Sequence, residues 1–274
     1  MPLFWPVIQQ LLNQKVVKSS LSVMKNICQE YIDFCCLFFQ PVGKELLLRF
    51  LTFVLQSYGV DPLVTRLLDQ TRVHLFPLAN PDGFAVASHG ACDVSYGRNN
   101  ANGVQISTNF PGIWQFDMGK LQPETKAIIK WVDSLSISLM LSFYGGSMVV
   151  SYPFDHVTDG TAPKYSATPD DDVFRQVARA YSKAHRRLVN GSFCPNSLDF
   201  YPSGIINGAE RSMQDFLYFT KGVVAIRAHI SCCRYPYRVT LRKFWKENKQ
   251  PMLEFWNQSQ QGKLVFSGGN GELL

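Results

Sequence analysis

The chain has 274 residues, 46% of them hydrophobic and 18% charged, with a formal net charge of +6. That length and apolar content suit one large α/β domain with an ample core. The basic residues fall in short groups such as Arg186-Arg187 and Arg242-Lys243, which excludes a polycationic nucleic-acid tail, and no run of about 20 apolar residues is present to cross a membrane.

Met1 to Leu12 is apolar but interrupted by Pro2 and Pro6, without a basic start or a small-residue cleavage site, so it does not read as a secretory leader. Leu21 to Phe34 reads as a helix. The run from Gly43 to Tyr58 is apolar on nearly all sides and predicts a buried helix, and Pro62 to Leu68 predicts a short one feeding a strand at Arg72–Leu78. That strand breaks at Asn80-Pro81-Asp82-Gly83, read as a turn in which Pro81 fixes one dihedral and Gly83 supplies a positive φ. An Asn- and Gly-rich loop follows, Gly97-Arg98-Asn99-Asn100-Ala101-Asn102-Gly103, the most site-like segment of the chain.

Pro123 and Glu124 start a helix whose core stripe is read as Ala127, Ile128, Trp131 and Val132. Ile137 to Phe143 predicts a buried parallel strand and Ser147 to Tyr152 another extended segment. Thr168-Pro169-Asp170-Asp171 reads as a helix cap with acids in the first turn, ahead of a face of Val173, Phe174, Val177, Ala178 and Tyr181. Cys194 to Gln214 is loop-like, and Val223 to Ser231 is the last central strand. A helix around Trp245 is expected to break at Pro251, with Met252 to Trp256 beyond it. The seven cysteines, Cys28, Cys35, Cys36, Cys92, Cys194, Cys232 and Cys233, have no zinc-finger spacing, and their odd count leaves the pairing open. Asn190-Gly191-Ser192 and Asn257-Gln258-Ser259 fit the N-glycosylation triplet.

A series of motifs resembles the N/E branch of the zinc metallocarboxypeptidase family. It comprises Asn80-Pro81-Asp82-Gly83, Gly97 to Gly103, Asn109-Phe110-Pro111, Gln122-Pro123-Glu124-Thr125 and Tyr152-Pro153-Phe154-Asp155. Further along stand Thr168-Pro169-Asp170-Asp171, Met213-Gln214-Asp215-Phe216 and Ile230-Ser231-Cys232-Cys233-Arg234-Tyr235-Pro236. The resemblance runs from about Val42 to the C-terminus. It implies a mixed, mostly parallel central sheet flanked by helices on both sides, with the N-terminal part incomplete. It also implies a poorly matched segment at 1–36, a peptidase-like domain at 37–260 and the start of a truncated transthyretin-like domain at 261–274.

Such a peptidase holds zinc through three protein ligands and leaves one position open for water. By the resemblance, Leu37 and Gln40 occupy the first two ligand positions and Tyr144 the third. Leucine has no lone pair, and a phenol, with a reference pKa of about 10, stays protonated near neutral pH. The general-base position holds His229, either a retained acid/base or a packed histidine. The carboxylate clamp becomes Ser107 and Thr108, without the guanidinium that would grip a terminal carboxylate in bidentate fashion. The family tyrosine that closes over substrate has no counterpart in the short Ala209-Glu210-Arg211-Ser212 stretch. Arg98, Asp155 and Gln214 match family residues that polarise the scissile carbonyl and receive a C-terminal Lys or Arg side chain. Each also has a plainer reading: Arg98 pins the Asn-rich loop, Asp155 caps a turn, and Gln214 bonds to backbone. His74, His89, His156 and His185 show no paired ligand spacing.

The expectation is therefore a family member without catalysis and without bound zinc, with peptides ending in Lys or Arg as its partner class. The alternative is an active zinc carboxypeptidase releasing those residues. The family's setting is extracellular or cell-surface.

Overall fold

The structure, a computed structural model, describes residues 32–38, 41–92, 97–111, 120–154, 165–194, 200–201, 205–207 and 213–261. Its centre is a sheet in which β1 (Ile32–Phe38), β2 (Thr71–Phe76), β3 (Ile137–Tyr144), β4 (Ser147–Tyr152), β7 (Ile205–Asn207) and β8 (Val224–Ser231) lie in the order β2-β1-β3-β8-β4-β7. Pairing is parallel except between β4 and β8. Two short strands, β5 (Ser192–Phe193) and β6 (Phe200–Tyr201), form a separate antiparallel pair. The mixed, mostly parallel architecture is the one expected.

Both faces are covered, so the interior strands bury alternate residues into two cores. Leu139, Leu141 and Phe143 of β3 and Val224, Ile226, Ala228 and Ile230 of β8 enter one core. That core is closed by α1 (Pro41–Ser57), α2 (Pro62–Gln70), α5 (Asp171–Ala184) and α7 (Leu241–Asn257), through Phe50, Val64, Tyr181 and Trp256 among others. On the opposite face Met140, Tyr144 and Ala225 meet Ile128 and Val132 of α4 (Pro123–Asp133) and Met213, Phe216 and Leu217 of α6 (Met213–Lys221).

Several expectations change. Ile32 to Phe34, expected as the end of a helix, open β1, which has a strand neighbour on each side in β2 and β3. Pairing on both edges outweighs local helix preference here, and this strand stands just before α1, at the edge of the part that the resemblance reads as incomplete. The rest of the expected Leu21–Phe34 helix lies outside the described residues, as does the start of the transthyretin-like domain after 261. Asn80-Pro81-Asp82-Gly83 is not a free turn: Asn80 caps α3 (Pro81–Val86), its Oδ1 accepting from Gly83 N at 2.9 Å. Gly83 has no positive φ; it is needed because a Cβ there would stand 2.4 Å from the Gly97 carbonyl oxygen. In α4 the buried stripe is Thr125, Ile128 and Val132, while Ala127 faces solvent and Trp131 is half-buried. Asp170 takes the N-cap place of α5 without a capping bond; its carboxylate instead accepts from Tyr218 Oη at 2.6 Å, and burial, helped by that bond, raises the phenol's pKa well above its usual range.

Pro251 does not break α7, which runs unbroken from Leu241 to Asn257. A helix-interior proline costs about 3 kcal/mol. Met252, Leu253, Phe255 and Trp256 around it are all buried, and at about 1.5–3 kcal/mol per large apolar side chain their burial exceeds that cost.

Candidate functional site

The site forms where β3 and β8 end side by side, at the carboxyl ends of parallel strands, where open α/β sheets place their ligands. Parallel register sets Ser142 beside Arg227 and Tyr144 beside His229, and antiparallel pairing adds Ser151 opposite Arg227 and Val149 opposite His229. The period of two that sends β3 and β8 hydrocarbon into one core therefore puts these residues together on the other face.

The inner row is a chain of hydrogen bonds. Arg227, only 3% exposed, donates from Nη2 to Gln214 Oε1 at 2.8 Å. Gln214 Nε2 donates to Ser142 Oγ at 2.5 Å, and Ser142 Oγ donates to the Ile226 carbonyl at 3.1 Å. The first turn of α6 carries Gln214 into this position, flanked by buried Met213 and Phe216. The Arg227 guanidinium also lies over the Tyr144 ring, 4.7 Å from its centroid, a cation on the negative face of a π system. In the outer row the Tyr144 and His229 rings are 5.5 Å apart at an angle of 33°. Burial first, then the charges of Arg227, Arg234 and Arg98, push the His229 pKa down to about 3, although a bond to the Gly145 backbone favours the charged form. Its Nδ1 has no hydrogen-bond partner among the described residues.

The loops around the strand ends are tied down. Asn80 Nδ2 donates to the Arg98 and Asn99 carbonyls at 3.0 and 3.2 Å, while Asn100 Nδ2 donates to Gln122 Oε1 and Glu124 Oε2, both at 3.0 Å. Asn109 Oδ1 accepts from Gln122 N and Thr125 Oγ1. These amides do the work of a missing regular structure. Gly146, at φ +91, lets the chain turn against Arg234, whose Nη2 would stand 2.8 Å from an added Cβ. Disulfides Cys92–Cys233 and Cys194–Cys232 fasten two loops to the segment that leaves β8.

The expected site residues divide clearly. Tyr144, His229 and Gln214 converge at the strand ends, and Arg98 is near enough for its charge to reach His229. Ser107 and Thr108 both lie in a 3-10 turn, Ser107 buried and accepting from Gln105 Nε2, Thr108 exposed and donating back to the Gln105 carbonyl. Leu37 stands in β1 at the register position of Ser142. Asp155 and Gln40 lie outside the described residues. His185, read as an ordinary histidine, is a structural one: its buried Nδ1 accepts from the Arg187 and Leu188 amides. Arg227 was missed, though a signal was present. A guanidinium inside the strand run Val224-Ala225-Ile226-Arg227-Ala228 must be buried, and a buried charge requires acceptors.

A zinc ion does not fit these residues. A phenol beneath a guanidinium and an imidazole surrounded by three arginine charges offer two neutral donors in a positive field, which repels a divalent cation. Among the described residues no three His, Cys, Asp or Glu side chains gather to hold a metal.

Comparison with known proteins agrees with this architecture. Residues 40–251 match the zinc carboxypeptidase family. The chain is 38% identical to mouse carboxypeptidase M over 230 residues, covering 81% of this chain and 52% of that protein. It is 37% identical to human carboxypeptidase D over 234 residues, 83% of this chain and 17% of that one, and 33% identical to the mouse carboxypeptidase N catalytic chain over 259 residues, 81% and 55%. It thus spans about half or less of the length of these relatives. Among solved structures, thrombin activatable fibrinolysis inhibitor superposes with a TM-score of 0.60 at 14% identity, over 85% of this chain and 64% of that one. Carboxypeptidase A from Helicoverpa armigera gives 0.56 at 12%, over 85% and 62%. A family match across most of the chain, carried on the same sheet, makes this protein a member of the zinc carboxypeptidase family.

Proposed function

We propose that this member of the family does not hydrolyse peptide bonds. The observation that carries the reading is the pair at the strand ends: Tyr144, packed beneath Arg227, and His229, held neutral by burial and by its arginine neighbours. A peptidase of this type needs a Lewis acid and a base that activates its bound water. Here the side chains offered are a phenol and a weakly basic imidazole. Titrating the purified chain with zinc by calorimetry, then incubating it with a peptide ending in Lys, tests the reading. Neither stoichiometric binding nor release of the Lys is expected, and the two together would overturn it.

A second reading is favoured by the identity to carboxypeptidase M and by the retained Arg98 and Gln214. In it the chain is an active zinc carboxypeptidase releasing C-terminal Lys or Arg, with metal donors drawn from elsewhere. Asp155→Ala would then shift cleavage away from basic residues. No turnover at any zinc concentration ends that reading.

The partner class implied by the resemblance, peptides or proteins ending in Lys or Arg, would need the space beside Gln214 that Arg227 holds. We assign 37–260 to the peptidase-like domain and 261–274 to the beginning of a transthyretin-like one. An extracellular or cell-surface setting draws support from the two disulfides, which persist in oxidising compartments. Of the two glycosylation triplets, Asn190 is exposed, whereas Ser259 of the second is 1% exposed in the 3-10 turn that follows α7.

A further inference from the structure

Strand β8 runs through the middle of the sheet, and a cation there has no ordinary reason to exist. Arg227 is nevertheless held, in a cradle suited to a guanidinium: the Gln214 amide oxygen accepts one N–H, the Tyr144 ring lies under its plane, and Ser142 fixes the amide by accepting from the other end of it. The bond from Gln214 to Ser142 settles which way the amide faces, because its nitrogen is committed to the hydroxyl and only its oxygen remains for the cation. Every part of the cradle is buried: Ser142 is 0%, Gln214 2% and Tyr144 7% exposed. Tyr144 is the last residue of β3 and His229 lies two residues before the end of β8, where the charges of Arg98 and Arg234 also reach His229. The site recognises a guanidinium, and the one it holds belongs to its own chain.

We propose that Arg227 is a built-in occupant of this pocket: it takes the place of a basic ligand side chain on Gln214 and Tyr144, so the site refuses peptides ending in Lys or Arg. The proposal is independent of turnover, since a filled pocket excludes the cation whether or not a peptide bond is cut. Its converse is a gain of function. Removing the Arg227 side chain leaves an acceptor, an aromatic face and a space of guanidinium shape, which an external alkylguanidinium can enter.

The test uses the full chain, its Arg227→Ala and Arg227→Lys variants and the double variant Arg227→Ala with Gln214→Leu. Methylguanidinium and N-acetyl-arginine are the probes, read by calorimetry and by thermal unfolding. The parent chain and Arg227→Lys should bind neither probe. Arg227→Ala should bind both saturably, and the double variant should lose about tenfold or more in affinity, the worth of one charge-assisted hydrogen bond. Should Arg227→Ala be unfolded by its empty cradle, methylguanidinium should restore its fold and should not restore that of the double variant. Binding of N-acetyl-arginine to the parent chain as tight as to Arg227→Ala would overturn the proposal. So would a folded Arg227→Ala that binds neither probe, or an unfolded one that neither probe rescues.

Discussion

The two faces of one pair of strands differ more than any two elements of the molecule. Toward α1, α5 and α7, strands β3 and β8 present hydrocarbon only, Leu139, Leu141, Phe143, Val224, Ile226, Ala228 and Ile230. Toward α4 and α6 the same strands begin with hydrocarbon, Met140 and Ala225, and end in Ser142, Tyr144, Arg227 and His229. One backbone thus serves two kinds of chemistry, separated by a single residue step. The first face is held together by area, which tolerates exchange among apolar residues of similar volume. The second is held by particular partners, and a lost partner leaves a buried polar group stranded.

That difference sets the size of what mutation should do. The largest effect belongs to the apolar face, at Trp256, which is fully buried, meets Phe50 edge-on at 5.9 Å and donates from Nε1 to Thr71 Oγ1 at 2.8 Å. Trp256→Ala should cost about 3–5 kcal/mol, the usual range for deleting a large core aromatic. Denaturant unfolding followed by circular dichroism measures it. A loss below about 1 kcal/mol would mean that this face is not the one that holds the fold.

On the polar face Gln214→Leu removes an acceptor from Arg227 while keeping volume. The expected cost is about 2 kcal/mol, within the range for taking a partner from a buried charged group. A neutral result would show that the Arg227 guanidinium is held without Gln214, and would break the contrast between the two faces.

The apolar face was legible in the sequence and most of the polar face was not. Alternating or continuous hydrocarbon in Ile137–Phe143 and Val223–Ser231 announces interior strands by itself, because nothing else buries such runs. What failed was local preference against long-range pairing. Ile32 to Phe34 read as helix until β2 and β3 supplied neighbours on both edges, and Pro251 read as a break until the burial of Met252, Phe255 and Trp256 held the helix through it. The site residues Tyr144, His229 and Gln214 were located by motif alone, whereas their connection through Arg227 and Ser142 depends on strand register, which no single segment contains. Ser107 and Thr108 illustrate the reverse case: their position by motif was clear, but a 3-10 turn and Gln105 occupy their hydroxyls.

A third way to sharpen the comparison uses pH, through a neutral histidine buried on each side of the molecule. Burial, then the charge of Arg187, depresses the His185 pKa from 6.5 to about 4, and His229 is lowered to about 3. A histidine with a depressed folded pKa binds its proton more readily when unfolded. Stability is therefore full above about pH 6.5 and falls as pH drops from there toward about 4 for His185, by about 1.4 kcal/mol per unit at most. His185→Asn, which keeps an acceptor for the Arg187 and Leu188 amides, should flatten that slope in urea midpoints taken between pH 7 and pH 4.5. An unchanged slope would assign the acid sensitivity to other groups.

The smallest effect comes from a second arginine, one whose acceptor carries a full charge. Arg49 Nε donates to Glu45 Oε1 at 2.7 Å across one turn of α1, a charged acceptor where Gln214 offers Arg227 a neutral amide oxygen. Its side chain is 34% exposed and that of Glu45 24%, so water already solvates both charges and little is gained by bringing them together. Helix pairs of this spacing contribute about 0.3–0.5 kcal/mol, so Glu45→Gln should lower stability by no more than about 0.5 kcal/mol and by less in high salt. Measured beside Gln214→Leu, it isolates burial as the variable: the formally weaker partner should matter more because Arg227 has no water to fall back on. Equal costs for the two substitutions would mean that partner charge, and not exclusion from solvent, governs how these guanidinium groups are held.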